Sequence, residues 1–427
     1  MLDKCSQAEK VTKDTILFRT IQKNVFILDG TDVFREDIVM NKKEILEIRK
    51  QFTPRNCAIT RICGCYVDHE KTKKMESKDA FLSLPEEEAF KYFDIFKKTL
   101  SGTVGKNMLN LEFPLDAEMP GGTQEFLLKL RDSRLEDDML LEEFYDKVIA
   151  AYEYAENYYI ILIHAMYDIP GKASDGAEMF DASDEVYEYL LMSICPVTLS
   201  KAGLSYNAED NRIQDRIRDW IVDMPDKGFL FPAFNDRGTD LHSVLYYTKK
   251  SEDLQPEMIG QLLGAVTPMS ADTQKETFQT IIEDTLGEDG DYETVRNIHE
   301  TLNNLIEEHK EEPEPLALDR TDVKKIFEQS GVSNEKMEMF DKNFAETAGE
   351  KGQLLASNIA ETKKFNIETP DVVIKVNPER ADLVETRIID GRQCLVIPVD
   401  DHIEVNGISV RTIANIREDS RNVLPEE

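Results

Sequence analysis

Apolar positions along the first two-thirds of the chain follow two rhythms. Just after Met40, Ile45, Ile48 and Phe52 recur at helical spacing. Ala58 to Val67 is rich in β-branched residues and predicts a strand, followed by a charged turn (Asp68 to Lys74) and a second strand ending near Leu84. Ser83-Leu84-Pro85-Glu86 predicts a capping box with proline in the first turn. The helix it opens places Ala89, Phe93, Phe96 and Leu100 on one stripe and closes at Ser101-Gly102. Gln124 to Arg131 and Leu140 to Glu153 continue the helical period. Tyr158 to Ala165 is an unbroken apolar run, the pattern of a strand buried on both faces, and Val186 to Ile194 predicts another. Asp215 to Trp220 leads into a turn at Pro225-Asp226-Lys227-Gly228. Phe229 to Phe234 and Ser243 to Tyr247 then read as strands around a loop at Asn235 to Gly238.

From about Pro256 the pattern becomes helical. Phe278, Ile281, Ile282 and Leu286 form one stripe, and Val295, Ile298, Leu302, Leu305 and Ile306 the next. Glu311-Glu312-Pro313-Glu314-Pro315 is the clearest linker, because like charges repel and proline stops a helix. Val323 to Phe344 predicts a small helical unit. Val372 to Val376 predicts a strand, and Asp390-Gly391 and Asn406-Gly407 predict type I′ hairpin turns. The expected class is α+β: a mixed N-terminal domain (40–255) around a central apolar strand, a helical segment (256–312), a small helical unit (313–364), a C-terminal β-meander of hairpins (365–411) and a polar tail (412–427).

Composition narrows the function classes. Acidic residues number 84 against 51 basic ones, a net charge of −33. That field opposes broad contact with phosphate backbones or anionic lipid and leaves direct nucleic-acid binding to a local surface. Its simplest use is solubility. Hydrophobic residues make up 41%, enough for packed cores rather than wholesale disorder. No apolar run reaches the ~18 residues a membrane helix needs, and no secretory signal is visible, so a cytoplasmic protein without a membrane partner is expected. Six irregularly spaced cysteines fit reduced thiols. Residues 1–39 read differently. Codons for Arg35-Glu36-Asp37 can spell a purine-rich ribosome-binding stretch, which makes Met40 the expected start and 1–39 a translated leader. The alternative is a genuine extension with strands at Ile16 to Phe18 and Val25 to Leu28.

Two constellations are candidates for chemistry. Cys57, Cys63, Cys65 and His69 could supply four metal ligands, and Cys63 and Cys65 share one strand face. Zinc cysteines, however, usually sit two to four apart on a knuckle, so small buried thiols are the competing reading. Asp168, Asp175, Asp181 and Asp184 follow the central strand, and Asp236, Asp240 and His242 flank the aromatic one. Carboxylates converging at strand ends could hold Mg²⁺ for phosphoryl or hydrolytic chemistry. In so acidic a chain, solvated loops and helix caps produce the same clusters. Gly102 to Asn107 fails as a phosphate loop: its glycines are too close and no Ser or Thr follows Lys106. Arg212, Arg216 and Arg218, near Trp220, form a compact basic cluster among Asp210, Asp215 and Asp219, where ion pairing competes with phosphate contact.

Met40 to Ile45, Ile62 to Tyr66, Gly121 to Leu128, Ile169 to Gly176, Gly228 to Arg237 and Arg387 to Cys394 resemble a family of bacterial proteins, domain of unknown function 4317, over residues 40 to about 411. The resemblance implies a bacterial cytoplasmic protein and brings no assigned activity or catalytic residues. The order of elements is also similar to the nucleoid-associated protein family, through Leu262-Leu263-Gly264-Ala265, the helix Gln274 to Leu286 and the β-rich stretch Phe365 to Val410. The expectation is therefore a non-enzymatic interaction protein without a cofactor, associated with the nucleoid through a local surface or through partners. Its partner would be another protein or a second copy of itself. The alternative is a metal-dependent enzyme using the acidic loops.

Overall fold

The computed structural model describes residues 40–172, 178–287, 290–350, 352–362, 364–398, 403–405 and 407–410; the side chains of 172–184 lie outside that description. The reading of 1–39 as a leader and of 412–427 as a tail falls outside it as well. The architecture is α+β.

The first helix among the described residues, α1 (Lys42–Arg49), starts at Asn41. The Asn41 side chain accepts the amides of Lys43 and Glu44, and the Glu44 carboxylate accepts the Asn41 amide, a complete capping box. Strands β1 (Ile59–Val67) and β2 (Lys73–Asp79) form the predicted hairpin. Next come α2 (Glu86–Thr99), β3 (Met108–Glu112), α3 (Thr123–Asp132) and α4 (Asp138–Ala151). The expected capping box at Ser83 does not form. Pro85 occupies the cap without a side-chain bond, and the Ser83 hydroxyl donates to the Ala80 carbonyl inside a short 3₁₀ turn. Buried Phe81 anchors that turn, so the local bond outcompetes the helix cap.

The longest strands, β4 (Tyr158–Lys172) and β5 (Glu178–Leu199), pair antiparallel at the centre. After β5 the chain forms β6 (Leu204–Asn207), β7 (Arg212–Asp215) and β8 (Trp220–Val222). It continues with β9 (Lys227–Phe231), β10 (Ala233–Asn235), β11 (Gly238–Asp240) and β12 (Ser243–Thr248). The main sheet has eight strands in the order β2-β1-β4-β5-β9-β12-β3, with β8 also on β5, and its pairs are antiparallel.

Both faces of this sheet are covered. Cys63, Cys65, Ile160, Leu162, Met192 and Phe229 pack with Leu127, Leu130, Phe144 and Val148 of α3 and α4. Ile161, Ile163, Leu191 and Leu230 pack on the other side with Ile45, Ile48, Phe93 and Phe96 of α1 and α2. Alternate residues of β4 thus enter opposite cores, which is why its sequence shows no polar alternation.

Beyond Pro256, α5 (Ala271–Leu286), α6 (Tyr292–Glu308), α7 (Arg320–Gln329) and α8 (Phe340–Ala348) share one core. Phe278, Ile282, Ile298 and Leu302 contribute from before the Glu/Pro linker, and Val323, Phe327, Phe340 and Phe344 from after it. The C-terminal strands form three two-stranded hairpins, Phe365–Glu368 with Val373–Val376, Glu385–Ile389 with Arg392–Val396, and Ile403–Val405 with Ile408–Val410. Among the described residues they do not join into one meander sheet. Asp390 (φ 49°) and Gly391 (φ 74°) adopt the left-handed conformations of the predicted type I′ turn. The second predicted turn includes Asn406, which lies outside the described residues.

Candidate functional site

The acidic positions occupy several kinds of place. Asp168 is exposed on β4, opposite Val186. Asp175 and the side chains of Asp181 and Asp184 lie outside the described residues. Asp240 and His242 come together at the far end of β11, while Asp236 (φ 47°) and Arg237 (φ 52°) form the two-residue left-handed turn at the tip of the β10–β11 hairpin. Asp240 accepts from Asn235 Nδ2 at 2.7 Å and from the His242 amide at 2.9 Å. His242 Nδ1 meets Glu118 Oε1 at 2.6 Å.

This turn is clamped to α1. The Arg237 amide donates to Glu44 Oε1 at 3.2 Å, and its guanidinium donates to Glu47 at 2.9 and 3.2 Å. Tyr167 donates its hydroxyl to Glu47 at 2.8 Å. Glu44 is buried, and burial raises its pKa despite the backbone amides of Asn41 and Arg237 that favour its charged form. Glu44, Glu47, Tyr167 and Arg237 were missed as a group by sequence reasoning. The one available signal was the Asn41/Glu44 capping spacing, which says nothing about a partner 190 residues away. The arrangement docks the first helix onto a strained turn through charge-assisted hydrogen bonds.

The thiols do not gather. Cys63 and Cys65 share a face, as their spacing predicts, and both are fully buried. Burial pushes each thiol up to about 12, the state of an inert core cysteine. Cys57 packs against the opposite core, and His69 is exposed in the β1–β2 turn, its amide donating to Asn157 Oδ1 at 2.9 Å. Among the described residues, no group of three or more His, Cys, Asp or Glu side chains could hold a metal ion. Gly64 has a separate role: a Cβ there would overlap the Tyr159 ring, which lies across the strand at that point.

A different feature stands out on the surface. Pairing runs in one register from Val197↔Val222 through Leu199↔Trp220 and resumes in the same register from Leu204↔Asp215 to Asn207↔Arg212. The segment is one β-ribbon arm, about 33 Å long at ~3.3 Å per residue. Leu204 (75% exposed), Tyr206 (60%) and Ile213 (62%) share one face, uncovered among the described residues, while Ser205, Asn207, Arg212 and Gln214 share the other. Ile217, Trp220, Ile221, Val222 and Met224 extend the exposed apolar surface to the root of the arm. Of the arginines, Arg212 approaches Asp210 at 3.8 Å and Arg218 donates to the Ser200 carbonyl at 2.7 Å. Arg216 makes no ion pair among the described residues. The arm went unrecognised in the sequence because its strands are short and rich in charge.

Beside the arm's root, Lys227 is fully buried and its ammonium donates to Asp226 (2.7 Å) and Asp253 (3.1 Å). Tyr152 donates to the same Asp226 oxygen at 3.3 Å. The nitrogen has no exposed surface, and through Asp253 it ties the 249–255 loop to the sheet.

No helix among the described residues is long and apolar enough to cross a membrane. No curated protein and no solved structure matches the chain, so the nucleoid-associated resemblance gains no support there. One family profile does match, that of a Domain of unknown function (DUF4317), and it takes in residues 40–408, which include both sheet cores, the arm and the helical core. The chain belongs to the DUF4317 family.

Proposed function

We propose that this is a cytoplasmic bacterial interaction protein that works by holding another protein rather than by turning over a substrate. The observation that carries this reading is the ribbon arm, whose apolar face at Leu204, Tyr206 and Ile213 has no cover among the described residues. A soluble molecule with net charge −33 gains nothing from a standing apolar ribbon unless something covers it, since large uncovered patches mark contact surfaces. The Asp240 carboxylate is taken up by Asn235 and the His242 amide, which adds weight to a binding role.

Affinity capture with the full chain tests the proposal. Wild type and Leu115→Asp, a change at an exposed leucine outside the arm, should retain the same protein. Tyr206→Asp with Ile213→Asp should lose it. Equal capture by all three defeats the reading. Retention of duplex DNA that falls steeply with salt would replace the protein partner by nucleic acid. A divalent-dependent phosphatase or nuclease activity abolished by Asp240→Asn would replace it by the enzyme alternative.

A further inference from the structure

We propose that a cleft between α2 and the root of the arm binds a small organic cation, an amine or guanidine carried on an apolar or aromatic body.

The cleft holds about 340 Å3, at the small end of the roughly 300–1,000 Å3 of ligand pockets. From α2 come Glu88, Lys91, Tyr92 and Ile95, whose spacing of i, i+3, i+4 and i+7 puts them on one helix face, with Asp94 beside them. The other wall is Val222, Asp223 and Met224, where β8 ends and the chain turns toward β9. Tyr159 of β4 and Ile95, both 8% exposed, form the deep part.

The lining is fixed before any ligand arrives. Tyr92 stacks on Phe96, with ring centroids 6.2 Å apart and planes 19° apart. The Tyr159 ring lies against Gly64, where a side chain would overlap it. Burial, and then the neighbouring Tyr159 hydroxyl, raise the Tyr92 phenol, which therefore stays neutral. The Asp223 amide donates to the Pro196 carbonyl at 2.8 Å, and the Asp223 carboxylate accepts the Thr198 hydroxyl at 2.8 Å. Little ordering is left for binding to impose.

The same lining selects charge. Three carboxylates accompany one ammonium, and Glu88, Lys91 and Asp94 make no ion pair among the described residues. Acidic residues alone would mean little in this chain. Those along α4, for instance, are paired with Lys73, Lys78 and Lys147. Here unpaired carboxylates sit at the mouth of an aromatic and aliphatic cleft. An anion would meet net repulsion, and a neutral apolar molecule would leave the carboxylates unused. A cation with an apolar body uses both, and tyrosine rings attract an ammonium or guanidinium as well.

Calorimetric titration of the purified full chain with phenylethylammonium, 2-phenylethanol and phenylacetate, each to about 10 mM, tests the site. These probes share a body and differ in charge. The cation should bind saturably, once per chain, and at least about tenfold more tightly than the alcohol, while the carboxylate should not bind. Glu88→Gln with Asp94→Asn should weaken the cation about tenfold. Glu311→Gln with Glu312→Gln, which removes the same charge from the Glu/Pro linker, should leave its affinity unchanged. All four positions are exposed, so circular dichroism should be unaltered in both variants. The chain carrying Tyr206→Asp with Ile213→Asp should bind the cation as the wild type does, which keeps this test apart from that of the arm. A cation that never saturates, or an alcohol that binds equally well, overturns the proposal. So does binding that survives Glu88→Gln with Asp94→Asn, or that falls equally in the two charge variants, which would be diffuse attraction to an acidic protein.

Discussion

Two buried polar side chains carry stability arguments that individual residues decide. Lys227 has no exposed surface; of its two carboxylate partners Asp226 is mostly buried and Asp253 is exposed at the surface. Removing the ammonium would leave Asp226, already mostly buried and hydrogen-bonded to Tyr152, without its counter-charge. Lys227→Met should therefore cost about 3 kcal/mol, read from urea denaturation at neutral pH, because breaking one side of a buried pair strands the other. His164 acts through pH. It is fully buried between strands, its Nδ1 2.7 Å from the Thr60 hydroxyl, and burial lowers its pKa from 6.5 to about 4. In the unfolded chain the ring binds a proton near 6.5; in the folded chain it does so only near 4. Between those values the unfolded state holds more protons, so stability present above pH 6.5 is lost as pH falls toward 4. The loss is on the order of 3 kcal/mol. His299, also buried with its pKa lowered by desolvation, acts in the same direction. Denaturation series from pH 7 down to pH 4 should show this slope in wild type and a shallower one in His164→Gln.

Elements were legible in the sequence where burial is one-sided or complete. The β4 run announced a doubly covered strand, and the stripes of α5 and α6 announced their core faces, because packing imposes those periods directly. The Cys63-Gly64-Cys65 string was legible only in part. Its thiols share a face as expected, whereas the glycine's purpose lies across the sheet at Tyr159 and cannot be read from neighbours in sequence. Gly64→Ala should destabilise by about 1–3 kcal/mol through overpacking against that ring, as thermal unfolding will measure. The clamp of Arg237 on Glu47 and the ribbon arm were illegible for related reasons. One joins residues 190 apart, and the other has no core to write a pattern into its strands. That same lack of a core makes the arm permissive. Tyr206→Asp with Ile213→Asp should leave stability within about 0.5 kcal/mol of wild type while abolishing partner capture, a separation of effects that a structural role could not produce.

At the scale of the whole molecule, a three-layer body and a helical core account for most of the buried apolar side chains, and the arm leaves a concentrated apolar surface in solvent. The charge of −33 keeps such a molecule dispersed and opposes indiscriminate association, so any contact must be made where charge is locally balanced or reversed. The stretch from Arg212 to Arg218, with three arginines and one aspartate, meets that condition. The most direct measurement is site-specific photocrosslinking from position 213 of the intact protein in cells, with position 115 as the control of equal chemistry. The account predicts a covalent adduct to a second polypeptide from position 213 and none from 115. Adducts from both positions alike, or from neither, would contradict it.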